Sequence, residues 1–296
     1  MPSILGLKPT GVEDLGITLL SCGLAENLHS KHPVIHVPTY NDLYSNIRDR
    51  ETNCLNAGLI RDFSLASGTI VADVINKKHF AFVLGGDCSI LLGIMLGLKG
   101  IGSYGLIFLD AHADFYEPEK SITGEVADMD LAIVTGRGPG LLTNINNLQP
   151  YVKDENVVHI GQRDWEETKK YGSQDVRDTA IKCFSLADIE KKNIDIITAA
   201  VLNHIDHLVT GGFWIHFDTD VLSDAINPAV DFRLPGGLQF DQVEYLVGNL
   251  LSTGRMAGIS ITIFNPRLDK NGIIAHNITE SIGRAFDLDP GNNNSD

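Results

Sequence analysis

Asp110, His112 and Asp114 stand two apart in Asp110-Ala111-His112-Ala113-Asp114, directly behind the apolar run Gly105–Leu109. In an extended segment side chains alternate with period 2, so two carboxylates and an imidazole share one wall. Left unpaired at a buried strand end, such groups repel one another and lose hydration. A divalent cation removes the conflict. Asp218 and Asp220, behind Phe213–Phe217, repeat the device on a second strand. A lone aspartate at a strand end is ordinarily a turn former or helix cap; two such clusters, each following an apolar run, point to metal. Five or six N, O and S donors exceed the four of a structural zinc site. An oxygen-rich set suits two borderline-hard ions, with Mn²⁺ the natural candidate. Two ions about 3.5–4 Å apart share a water and ionise it at neutral pH, which is hydrolytic chemistry.

The elements that must hold these groups are short apolar strands alternating with helices. Strands are predicted at Ile4–Leu7, Val34–Val37, Phe80–Leu84, Gly105–Leu109, Val157–Ile160, Ile181–Phe184, Phe213–Phe217 and Ala257–Phe264. Helices are predicted near Asn53–Asn76, Ser89–Leu98, Ile189–Val209 and Asp241–Leu251. Strands that read as nearly continuous apolar runs belong to a parallel sheet covered on both faces. The expected fold is therefore α/β, a three-layer α/β/α sandwich with a mostly parallel sheet of about eight strands. No linker or repeat divides residues 1–296, so one domain is expected, with a flexible tail after about residue 287. Ligands of such sheets bind at the carboxyl ends of the strands. Two further polar strand ends lie there: Gly85-Gly86-Asp87-Cys88-Ser89 and Gly161-Gln162-Arg163-Asp164.

Composition narrows the partners. A formal charge of −15 argues against nucleic acid, which needs a Lys/Arg footprint. No apolar run reaches the roughly 18–20 residues of a membrane span, and Met1-Pro2-Ser3-Ile4-Leu5-Gly6 has no basic segment before an apolar core. Four well-separated cysteines favour reduced thiols in the cytoplasm over a disulfide framework. His216 directly precedes Phe217-Asp218 and is expected to serve the core or to support the ligands.

Gly85-Gly86-Asp87-Cys88-Ser89, Asp110-Ala111-His112-Ala113-Asp114 and Phe217-Asp218-Thr219-Asp220, in that order and spacing, resemble the arginase/agmatinase (ureohydrolase) superfamily over nearly the whole chain. The resemblance implies a manganese pair whose bridging hydroxide attacks a guanidinium carbon. It implies that Asp110 and Asp218 bridge the ions and act in catalysis, Cys88 and Asp114 complete one coordination sphere, and His112 and Asp220 the other. It places Tyr116, Ser121 and Thr123 where a substrate carboxylate is held and Glu166 where an α-amino group is contacted. A homo-oligomer acting on a small molecule is the expectation.

Three departures bear on the substrate. Cys88 replaces the usual metal-binding His; a thiolate is softer and favours Zn²⁺, Fe²⁺ or Co²⁺. Ala127 stands where a His relays protons, which leaves water, Glu125 or Asp128 for that task. Ile263, two before Asn265-Pro266, stands where a Glu pairs with the guanidinium, and isoleucine offers a planar cation nothing. The expected activity is hydrolysis of a C–N bond in a linear amidine or guanidino compound, with N-hydroxyguanidino or formimino amino acids fitting best. Alternatives are an amide-cleaving, deacetylase-like hydrolase and a non-catalytic relative that binds a metal or metabolite. Arg137, in a Gly-rich loop, is expected to brace that loop.

Overall fold

The computed structural model describes residues 1–288, so the predicted tail lies, Leu288 apart, outside the described residues. Six strands form one sheet: β1 Ala81–Leu84, β2 Gly105–Leu109, β3 Val157–Ile160, β4 Lys182–Phe184, β5 Phe213–Asp218 and β6 Met256–Thr262. Their order is β1-β6-β5-β2-β3-β4 and every neighbouring pair is parallel. Alternation along β2 shows why these runs are apolar throughout. Leu106 and Phe108 enter one core with Ile60, Phe63, Leu91 and Ile94 of the helices Ala57–Asn76 and Ile90–Ile101. Ile107 and Leu109 enter a second core with Leu246, Leu250 and Ile278 of the helices Phe240–Leu251 and Ile273–Asp287. Both faces are covered, as a parallel sheet requires.

Six strands replace the expected eight, for two different reasons. Ile4–Leu7 is a turn, in which the Leu7 amide donates to the Ile4 carbonyl at 3.2 Å, and its side chains are apolar because they are buried beneath the site. Val34–Val37 stays outside the sheet; Pro33 and Pro38 bracket it and lack ladder donors, and Val34 and Ile35 are exposed. The predicted helix Ile189–Val209 is two, Leu186–Lys192 and Ile194–Asp206, broken at Asn193 with φ 68°. The helix Ile273–Asp287 was not expected from the sequence.

The order of the strands creates the site. From β2 the chain proceeds to β3 and β4 on one side, and from β5 to β6 on the other, so β2 and β5 adjoin where the winding reverses. Loops leaving in opposite directions open a crevice at the carboxyl ends there. Asp110 directly follows β2 and Asp218 ends β5. The N-terminal turn closes against the same end: the Asp87 amide donates to the Ser3 carbonyl at 3.0 Å and the Gly6 amide to Asp87 Oδ2 at 3.2 Å. Only glycine fits at position 86, because a Cβ there would lie 1.9 Å from the Ser3 carbonyl oxygen.

Candidate metal centre

Beyond β2 the backbone does not remain extended, so simple alternation is not what gathers its ligands. It bends, and each bend is held by a neighbouring strand end. Asp110 Oδ1 accepts from the His112 amide at 2.7 Å, and Asp220 Oδ1 from the Ala111 amide at 3.1 Å. Asp164 Oδ2 accepts from the Ala113 amide at 3.1 Å, while its Oδ1 takes Gln162 Nε2 at 3.0 Å. Asp114 then adopts a positive φ of 44°, an uncommon conformation for a residue with a Cβ. On the facing strand end, Asp218 Oδ1 accepts from the Asp220 amide at 2.7 Å. Arg163 spans the carbonyls of Asp220, Val221 and Leu222, the first at 2.7 Å, and so ties the third strand end to the fourth.

Two sets of ligand atoms result, each within 4.8 Å of one another: Cys88, Asp110 and Asp218, and Asp110, His112 and Asp220. The Cys88 thiol donates to Asp218 Oδ2 at 2.8 Å, and His112 Nδ1 lies 2.8 Å from Asp220 Oδ2. Asp110 belongs to both sets, which is where a bridging ligand must stand. Asp114 has the side chains of Asp110, Asp130, Asp218 and Asp220 as its charged neighbours. A third set, Cys88, Asp130 and His216, adjoins the first. The sequence did not single out Asp130, which lies on the short helix Asp130–Val134. His216 is expected to serve the core or to support the ligands, and period 2 puts it on the side of Asp218.

Charge makes the fit to cations specific. Asp110, Asp130 and Asp218 are buried at 0–2% exposure, with Asp114 and Asp220 close behind. Burial, with Asp220 beside it, pushes the Asp110 carboxyl up to about 7. Burial and neighbouring carboxylates raise Asp114, Asp130 and Asp218 well above the usual carboxylate range. Burial also raises the Cys88 thiol, and Asp218, Asp130 and Asp110 raise it further. Burial works against a charge on His112 too, but Asp220 and Asp110 hold its pKa well up; Asp220 is held low by that imidazole despite its own burial. Asp110 Oδ2 and both oxygens of Asp130 have no hydrogen-bond partner. So many buried acids with orphaned oxygens fit divalent cations and little else.

The other predicted residues are placed differently. Glu125 is buried at 2% exposure, with Lys8 Nζ 3.5 Å from an Oε1 that accepts no hydrogen bond. Ser121 and Thr123 turn inward: both hydroxyls donate to Asp128 Oδ2, at 2.8 and 3.0 Å. Burial pushes Asp128 up to about 7 although these bonds pull it down. The half-buried Tyr116 phenol is raised by burial and by Asp164, Glu167, Asp128 and Asp114, surroundings that repel a carboxylate. Glu166 is exposed on the helix Trp165–Tyr171. Arg137 braces its loop, pairing with both oxygens of Asp154 at 2.8 and 2.6 Å over the Phe115 ring. Ala127 and Ile263 pack with Cys88, Val230, Ile4 and Leu7 in one apolar cluster beside the metal ligands.

Known proteins resemble this chain in sequence and in fold. The sequence matches the family described as "Arginase family" over residues 35–286. It is 28% identical to an arginase of Staphylococcus aureus (strain MSSA476), covering 96% of this chain and 94% of that one. It is 30% identical to an arginase of Bacillus subtilis (strain 168), covering 79% and 78%. The fold superposes on the native arginase from Bacillus caldovelox with a TM-score of 0.85, at 25% identity and 96% and 95% coverage. Ligand pairs on β2 and β5, the crevice between those strands and a match across most of the chain concur: the protein belongs to the arginase family.

Proposed function

We propose that this chain, as one catalytic domain, is a binuclear-metal hydrolase that cleaves a C–N bond of a linear amidine or guanidino-type small molecule. Arginase-family homologues are hydrolases of linear amidines, and their metal site is binuclear and typically holds manganese. The observation that carries the reading is Asp110, shared by two ligand sets in a crevice where the other buried carboxylates converge. When bound, the metal pair supplies Lewis acidity and brings the ionisation of water near neutral pH. Asp110 and Asp218 would hold both ions, Cys88 and Asp114 one, and His112 and Asp220 the other. Asp164 and Arg163 keep those side chains in place while the reaction proceeds.

The surroundings support a neutral reacting group. The wall beside the ligands is Ile263, Ala127 and Val230, so a guanidinium would shed water there without gaining a carboxylate. An N-hydroxyguanidine, made far less basic by its N–OH, loses less; a formimino group is also less basic than a guanidine but still binds a proton near neutral pH. Ser121 and Thr123 are already satisfied by Asp128, which favours a substrate whose far end is held elsewhere. The test is release of urea, hydroxyurea, formamide or ammonia from matched guanidino, N-hydroxyguanidino and formimino compounds with Mn²⁺ added. A clear preference for the unmodified guanidinium would overturn the neutral-group reading. Ile263→Glu is expected to raise kcat/KM for a guanidinium substrate at least about 10-fold, since it adds a charge-assisted partner. Ile263 sits at φ 71°, a conformation that costs glutamate less than a β-branched residue. The new carboxylate is nevertheless buried without a partner, so the Tm should fall in the free protein and recover with a guanidinium bound.

Glu125 is the proposed proton carrier for the departing nitrogen. Its carboxyl is raised by burial, with Lys8 pulling it back down. Glu125→Gln is expected to lower kcat about 10²–10⁴-fold with metal content unchanged. Should only Asp128→Asn have that effect, Asp128 carries the proton instead. A non-catalytic role is favoured by the loss of polar groups at Ala127 and Ile263; a protein that binds two ions yet releases product from none of these compounds would support it. The four cysteines are unpaired, in keeping with a cytoplasmic protein, and we expect a homo-oligomer, which sedimentation would show.

A further inference from the structure

One row beneath Asp110, Asp218 and Thr262, the sheet carries a second polar layer. Phe108 of β2, His216 of β5 and Ser260 of β6 are register partners across three strands. The His216 ring stacks on Phe108, with centroids 5.1 Å apart and planes at 12°. Its Nδ1 is 3.0 Å from Ser260 Oγ, an oxygen that accepts from Trp214 Nε1 at 3.0 Å. With Nδ1–H turned to Ser260, the lone pair on Nε2 faces up the sheet. There it lies 3.4 Å from Cys88 Sγ and 4.0 Å from Asp130 Oδ2, while Thr262 Oγ1 is 3.2 Å from the same sulfur. Cys88, His216 and Asp130 are each no more than 1% exposed.

Asp130 is what makes this more than a packed histidine. Among the described residues it is the one acid whose two side-chain oxygens are both fully shielded from solvent and both lack a hydrogen-bond partner. An interior carboxylate so left is stable only if protonated or if a cation meets it. The spacing suits the latter: a tetrahedral ion at about 2.3 Å from sulfur and about 2.0–2.1 Å from nitrogen separates those two donors by about 3.6 Å. A histidine whose far nitrogen is fixed by a hydrogen bond and a stacked ring is arranged as ligating histidines are.

We propose that His216 and Asp130 are themselves metal ligands, so that the ion held by Cys88 has a sulfur, imidazole and carboxylate donor set reaching one row deeper than Asp110 and Asp218. This rests on the two-metal reading above and specifies one of its ions. Such a set selects a softer divalent cation, Zn²⁺ or Co²⁺, over Mn²⁺, whereas the ion of Asp110, His112 and Asp220 keeps harder donors. The two positions would then prefer different metals.

X-ray absorption on the wild-type protein loaded with Co²⁺, together with metal analysis of variants, tests this without relying on activity. The expected X-ray spectrum shows one sulfur and two imidazoles shared by two ions, and the near-UV spectrum of the same sample a thiolate-to-cobalt charge-transfer band that Cys88→Ser removes. His216→Ala and Asp130→Asn should each weaken the binding of one ion at least about 10-fold and leave the other bound. Asp130→Asn is nearly isosteric and serves if the histidine variant does not fold. One imidazole in the wild-type spectrum, or full binding of both ions by both variants, would overturn the proposal and leave the two-metal hydrolase standing. Failure to bind any divalent ion would overturn both. A covalent substrate adduct on Cys88 in chelator-treated protein would also overturn it, assigning Cys88 and His216 to nucleophilic chemistry instead.

Discussion

Asp110→Asn is expected to reduce turnover on the order of 10⁴-fold or more, about 5 kcal/mol of lost transition-state stabilisation. Among the described residues no other side chain belongs to both the Cys88–Asp218 and the His112–Asp220 groups. Its Oδ1 is occupied by the His112 amide, while Oδ2 is buried with no partner and is the oxygen free to face a cation. Asparagine keeps the size and can keep the bond to the His112 amide, so the loop should retain its path. It presents either a neutral oxygen or an NH₂ group to the ions, and an NH₂ group repels them. Metal content should fall from two equivalents to one or none, measured alongside kcat. In metal-stripped protein the same change should raise the Tm, because it removes one of several mutually repelling buried acids. Undiminished turnover with full metal content in this variant would rule out a two-metal mechanism.

The second large effect is a reversal of pH dependence on metal removal. Asp110 and Asp128 titrate near 7 in the folded chain, and Asp114, Asp130 and Asp218 are raised well above the usual carboxylate range, in each case chiefly through burial. A carboxyl whose folded pKa is raised adds stability that is complete below its unfolded value of about 4 and is lost as pH rises through the folded value. Chelated protein should therefore lose stability between pH 6 and 8. The two groups near 7 withdraw about 2–3 kcal/mol over that window, on the order of 5 °C in Tm. His159 and His216 act oppositely, because burial lowers them to about 4 and about 3. Their unfolded forms titrate near 6.5, so as pH rises from 6 to 8 each adds up to about 0.8 kcal/mol and offsets part of that loss. With metal present the ligands must shed protons to bind, so the Tm should hold or rise from pH 6 to 8. Calorimetry at pH 6, 7 and 8 with and without chelator decides the matter; parallel curves would show that the buried acids do not face a cation.

Much of the centre was legible because its residues follow strands, and strands declare themselves as apolar runs. Asp110, His112, Asp218 and Asp220 were found in that way, and Cys88 through the motif around it. The reason given for the first cluster needed correction, since bends held by Asp164 and Asp220 gather it, not alternation. Asp130 was not legible at all. It lies in a helix, 16 positions beyond Asp114, where one aspartate looks like any first-turn acid. The hydroxyls of Ser121 and Thr123 looked available because nothing local shows that they turn to Asp128.

The sequence by itself determined a parallel sheet covered on both faces, acids at the ends of two of its strands, and an apolar residue at both 127 and 263. Those properties depend on residue type and on spacings of a few positions, over which the backbone geometry is known. Only the tertiary structure decided that β2 and β5 adjoin, that the crevice opens between them, and that His216 and Asp130 meet the Cys88 sulfur. Such contacts join residues separated by 42 to 130 positions, and they are set by the order in which strands pair and by which faces the helices cover.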